Sequence, residues 1–94
     1  MSEIDSTSRP ALVARARVQT DPVSGEPVLL YPEGLLILNP TAHEIVLHCK
    51  GEMTVEGLVR MLYDEYDESE ETLRRDVYET LADLRQRNLI TFTT

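Results

Sequence analysis

The hydrophobic pattern changes period at Asn39-Pro40-Thr41, and that change limits the chain to a few folds. Before it, apolar residues come in short runs bounded by turn residues, Pro27 to Tyr31 (PVLLY) and Leu35 to Leu38 (LLIL), with Pro32-Glu33-Gly34 between them. Two such runs joined by three residues read as a β-hairpin. Upstream, Asp21-Pro22-Val23-Ser24-Gly25 is turn chemistry, since Pro presets φ and Gly accepts a positive one. Residues 15–20 (RARVQT) are then the expected first strand of a three-stranded antiparallel meander over residues 15–38.

After Asn39 the spacing is helical. Asn39 or Thr41 can cap, and Pro40 suits a first turn because its missing N–H has no partner there. Ala42, Ile45, Val46 and Cys49 share one helical face, and Gly51 is the stop, which predicts a helix over Thr41–Lys50. Thr54 caps a second helix, lined by Val55, Leu58, Val59, Leu62 and Tyr66. Ser69 caps a third, where Leu73, Val77, Leu81 and Leu84 form the strongest periodic signal. Glu70–Arg74, Glu71–Arg75 and Asp83–Arg87 are i,i+4 pairs in the favourable orientation. Leu89 to Phe92 (LITF) is a short terminal extension suited to covering the core. The expected fold class is α+β, a three-stranded antiparallel sheet followed by three helices packed on one face.

With 94 residues there is room for one core and no deep substrate cavity. Residues 1–13 are polar and aperiodic and read as a flexible N-terminal tail, leaving 14–94 as the domain. The tail lacks a signal peptide's apolar segment, and no apolar run approaches the ~20 residues that cross a bilayer. Cys49 is the single cysteine, so no intramolecular disulfide can form and a cytoplasmic location is the default. A formal charge of −8 disfavours nucleic acid and anionic membrane, both of which bind through clustered Lys and Arg.

Catalytic and cofactor motifs are missing: CxxC, HExxH, GxSxG and the nucleotide-binding glycine patterns. His43 and His48 point ~140° apart on a helix and do not share a metal. Cys49 follows His48, but neighbours on a helix do not face one another, and a buried structural thiol is the simpler role. The acidic stretch Asp64 to Glu71 lacks the central Gly of a calcium loop and reads as a solvated turn, or as a weak attractor for a basic surface.

The sheet edge at Leu35–Leu38 remains. It is apolar and carries neither Pro nor charge, the features that usually blunt an edge. An open edge accepts a guest strand, with backbone hydrogen bonds giving affinity and side-chain pockets giving specificity. The terminal LITF segment or a second subunit would equally explain it.

The ordered set of segments resembles a known family. Leu-Leu-Tyr-Pro-Glu (29–33), an apolar strand ending Leu38-Asn39, a helix ending near Gly51, T-V-E-G-L-V (54–59), R-D-V-Y-E-T-L-A-D-L (75–84) and Asn88-Leu89-Ile90 are similar to PqqD, the small protein of pyrroloquinoline quinone biosynthesis. The resemblance covers about residues 15–92, and Lys50 departs from it where an acidic residue is expected. It implies the winged-helix-like fold of a RiPP recognition element, with no cofactor. It also implies a peptide chaperone that binds the precursor PqqA by strand addition and presents it to the radical S-adenosylmethionine enzyme PqqE. Carried onto this chain, the guest lies along Gly34, Leu35, Leu36, Ile37 and Leu38. The opposite wall comes from Arg74, Arg75, Val77, Tyr78 and Leu81 of the third helix. A recognition element for another ribosomal peptide, such as a lasso peptide or sactipeptide, would look the same. A winged-helix DNA binder shares the shape but not the charge, and an enzyme fits least. Pairing of two copies through their open edges, as a homodimer, would compete with the peptide.

Overall fold

The computed structural model describes residues 4–93, in the order β1 (Arg9–Leu12), β2 (Arg17–Thr20), β3 (Pro27–Tyr31), β4 (Gly34–Ile37), α1 (Pro40–Leu47), α2 (Val55–Glu65), α3 (Glu70–Gln86) and β5 (Ile90–Thr93). Strands β2, β3 and β4 form the expected antiparallel meander. Their register pairs Val18 with Leu29 and Leu29 with Leu36, so these side chains share the face turned to the helices. Leu29 is fully buried there.

The second and third helices start at the expected caps, and of the two candidates for the first, Asn39 rather than Thr41 is the cap. The side chains of Asn39, Thr54 and Ser69 accept from the N–H groups of Ala42, Gly57 and Thr72. Leu73, Val77, Leu81 and Leu84 of α3 form a buried stripe, packed with Leu58, Val59 and Leu62 of α2 and Ile45 and Val46 of α1. Helix α3 ends in a Schellman motif. Asn88 adopts a left-handed φ of 61°, Leu89 N–H donates to Leu84 O at 2.9 Å and Asn88 N–H to Arg85 O at 3.0 Å. Among the described residues no helix is long and apolar enough to cross a membrane.

Three expectations change. Helix α1 stops at Leu47, and the His48 and Cys49 N–H groups close a tight turn onto Ile45 O and Val46 O, so the helical stretch does not reach Lys50. The i,i+4 pairs Glu70–Arg74 and Asp83–Arg87 form, but no ion pair joins Glu71 to Arg75 among the described residues. The largest change is at the N-terminus, where Arg9–Leu12 is a strand of a second sheet, antiparallel to β5. Its backbone also serves the helices. Val55 N–H at the start of α2 donates to Ser8 O at 2.9 Å, Glu56 N–H to Ser6 O at 3.0 Å, and Gly51 N–H to Pro10 O at 2.9 Å. A segment whose carbonyls satisfy the orphan N–H groups of a helix start is structural, whatever its polarity. Residues 1–3 of the expected tail, and Thr94, lie outside the described residues.

Candidate functional site: an open strand edge

Strand β4 has β3 on one side and, among the described residues, no strand on the other. The LITF segment does not cover it, because that segment pairs with β1. Along an antiparallel strand, successive residues aim their N–H and C=O alternately at the neighbour and away from it. Leu38 N–H donates to Pro27 O at 3.0 Å. With Val28 opposite Ile37 and Leu30 opposite Leu35, the residues bonded to β3 are then Gly34, Leu36 and Leu38. Leu35 and Ile37 therefore turn their backbone groups to the open edge. The same two residues are 55% and 63% exposed, unusual for large aliphatic side chains.

The side chains of β4 divide between the two faces. Leu36 and Leu38 point to the core side, Leu36 half-buried and Leu38 nearly fully buried. Leu35 and Ile37 lie on the opposite face beside Leu30 and Val28, bordering a cavity of about 150 Å³ that the loop after β2 closes at Asp21, Pro22 and Ser24.

On the helix side, the five residues expected to face β4 do not form one wall. Val77 and Leu81 have no exposed surface, since both belong to the core stripe. The Arg74 guanidinium reaches across to Glu56 of α2, with Nη2 to Oε2 at 3.1 Å and a second, shorter contact from Nη1 to Oε1, and it also holds Glu70. The hydrogen bond from Arg74 holds the Glu56 carboxyl below its ordinary range. The flank bearing Arg74 is thus turned to α2, and at 100° per residue half-buried Tyr78 follows it. Arg75 is exposed.

The flank that meets the sheet is the other one. Arg87 Nη1 donates to Tyr31 Oη at 3.3 Å and its Nε to Asp83 Oδ1 at 3.1 Å. These two acceptors raise the guanidinium pKa above its ordinary value. Tyr31 is opposite Gly34 in the ladder, so the end of α3 sits at the hairpin where β4 begins. Stepping back along α3, Thr80 and Asp76 continue that flank, both half-exposed. At the other end of β4, Tyr66 Oη donates to Pro40 O at 3.4 Å, which ties the end of α2 to the start of α1. The sequence offered one signal for this flank, the Asp83–Arg87 pair. Periodicity finds the buried stripe but does not say which of its two flanks faces the sheet.

No group of His, Cys, Asp and Glu among the described residues could hold a metal ion. Burial pushes the Cys49 thiol up to about 12, so it stays protonated at neutral pH and is a poor nucleophile. The arrangement as a whole offers main-chain donors and acceptors between an aliphatic strand and a polar helix flank, suited to holding an extended peptide.

Comparison with known proteins gives a consistent set. A family model described as Coenzyme PQQ synthesis protein D (PqqD) matches residues 26–90. A PqqA binding protein of Azotobacter vinelandii is 34% identical over 90 residues, covering 96% of this chain and 97% of the relative. Another, from Stutzerimonas stutzeri, is 39% identical over 70 residues, covering 74% of this chain and 76% of the relative. Among solved structures, the PqqD truncation of Methylobacterium extorquens PqqCD, described as a functional and stand-alone RiPP recognition element, superposes with a TM-score of 0.74 at 28% identity over 87% of each chain. Lasso peptide synthetase B1, solved in complex with the leader peptide, superposes with a TM-score of 0.73 at 22% identity, over 88% of this chain and 98% of that one, a likeness of fold.

Proposed function

The chain belongs to the PqqD family, and from that premise we propose that it is a non-catalytic adaptor for a PqqA-type precursor peptide. The peptide adds as a strand along Gly34–Leu38, and the adaptor presents it in the cytoplasm to a radical S-adenosylmethionine enzyme of the PqqE type. One observation carries the site: Leu35 and Ile37 combine outward-turned backbone groups with exposed aliphatic side chains on an edge that no other strand among the described residues occupies. A guest strand satisfies both at once. On α3 the facing residues are Asp76, Thr80, Asp83 and Arg87, in place of the flank bearing Arg74 and Tyr78. A second copy pairing through β4 would use the same edge and compete with the peptide.

The fold it shares with lasso peptide synthetase B1 supports a second reading, a recognition element for a precursor other than PqqA. The physics of the edge is the same, and only titration with the candidate precursors separates the two. The test of the site is amide hydrogen exchange with and without a PqqA-type precursor. Exchange at Leu35 and Ile37 slows on binding, while Leu36, already bonded to β3, changes little. Protection confined to the acidic turn at Asp64–Ser69 would place the peptide elsewhere.

A further inference from the structure

We infer that the guest strand is gripped on both faces of the sheet, so this edge selects peptides with at least three consecutive apolar residues over peptides whose apolar residues alternate. The inference rests on strand addition at β4. Edge strands of a sheet with one solvated face ordinarily alternate, apolar inward and polar outward. Strand β2 at the other edge follows that rule, with Val18 on the core side and Arg17 and Gln19 outside. Strand β4 departs from it: Leu36 points to the core side, and Leu35 and Ile37, more than half exposed, point outward.

These outer residues do not stand alone. They extend two cross-strand rows, Leu30–Leu35 and Val28–Ile37, and Val28 is buried although it lies outside the main core. The cavity of about 150 Å³ that they border is large enough for one aliphatic or aromatic side chain. The unpaired N–H and C=O groups at Leu35 and Ile37 identify the occupant as an extended peptide, because only a strand's main chain matches their spacing. In such a strand the residue opposite Leu36 faces α3. Its two neighbours, opposite Leu35 and Ile37, continue the outer rows. A long side chain opposite Ile37 leans over the rim of the cavity. Three successive guest residues thus lie beside aliphatic side chains of β4, the middle one against Leu36 on the α3 side and its neighbours against Leu35 and Ile37 on the face away from α3.

Two measurements test this with a PqqA-type precursor as the probe. The first compares the wild-type protein with Leu35→Thr/Ile37→Thr, which keeps β-prone side chains and leaves the main-chain groups in place. The double variant should bind roughly tenfold more weakly or worse, yet at saturating peptide its amides at 35 and 37 should still be protected from exchange. Unchanged affinity with protection retained overturns the outer-face contact and leaves strand addition standing. Missing protection at Leu35 and Ile37 in the wild type overturns strand addition, and the inference with it. The second measurement, independent of any protein variant, replaces each apolar residue of the bound peptide segment by Ser in turn. Three consecutive sensitive positions are expected, and sensitivity at every second position only would overturn the inference.

Discussion

Proline at position 37 separates the open edge from the ladder within one strand. The Ile37 N–H points away from β3, so Ile37→Pro removes no internal hydrogen bond. The side chain is already 63% exposed, and full burial of such a chain is worth about 1.5–3 kcal/mol, so the folded state should lose about 1 kcal/mol or less. Pro is tolerated on an edge strand where its nitrogen faces outward. A bound guest, by contrast, loses one donor, worth about 0.5–1.5 kcal/mol, and the aliphatic contact, worth about 1 kcal/mol. Together these are about 2 kcal/mol, or roughly thirtyfold in Kd. Leu36→Pro is the contrast, because its N–H belongs to the ladder with β3; Pro there removes that bond and strands its acceptor on β3, which should destabilise the fold by about 1–3 kcal/mol, on top of the lost half-buried side chain. Isothermal titration with the precursor gives Kd, and urea unfolding gives stability. A folded Ile37→Pro protein that binds at full affinity would show that the guest's hydrogen bonds lie elsewhere. An Ile37→Pro protein as unstable as Leu36→Pro would show that the alternation along β4 is reversed.

Other expectations concern the scaffold. Deleting residues 1–12 should lower unfolding stability by on the order of 2–4 kcal/mol, since it removes β1 and the carbonyls that receive the first N–H groups of α2; an unmoved urea midpoint would mean that β1 does not hold the fold and would favour the flexible tail expected from sequence. Cys49 should resist thiol reagents in the native protein and react once urea opens it, so fast labelling without denaturant would contradict its burial. The Glu56 carboxyl titrates below its ordinary 4.5 when folded, so its contribution to stability is present above that pH and is lost as the pH falls through the lower, folded value. Glu56→Gln should accordingly flatten part of the acid side of a plot of Tm against pH, and an identical acid limb in both proteins would mean that the link to Arg74 is not made in solution.

The sequence by itself determined what depends on neighbours along the chain. Turn residues at 21–25 and 32–34, caps at Asn39, Thr54 and Ser69, and two different hydrophobic periods sufficed for the three-stranded meander, the three helices and the buried stripe of α3. They also located the apolar edge at Leu35–Leu38, because a missing charge or proline can be seen in one segment alone. Contacts between distant segments decided the rest. Residues 9–12 have no pattern of their own, and their strand exists because β5, 78 or more residues away, supplies its partner and α2 supplies its donors. Which backbone groups of β4 are free followed only from the register with β3. The orientation of α3 was equally hidden. Its stripe fixes which side is buried, but Glu56 and Tyr31, from separate elements, hold Arg74 to α2 and Arg87 to the sheet. A helix wheel treats its two flanks as equivalent, and packing against unlike neighbours is what turned one of them to α2 and the other to the sheet.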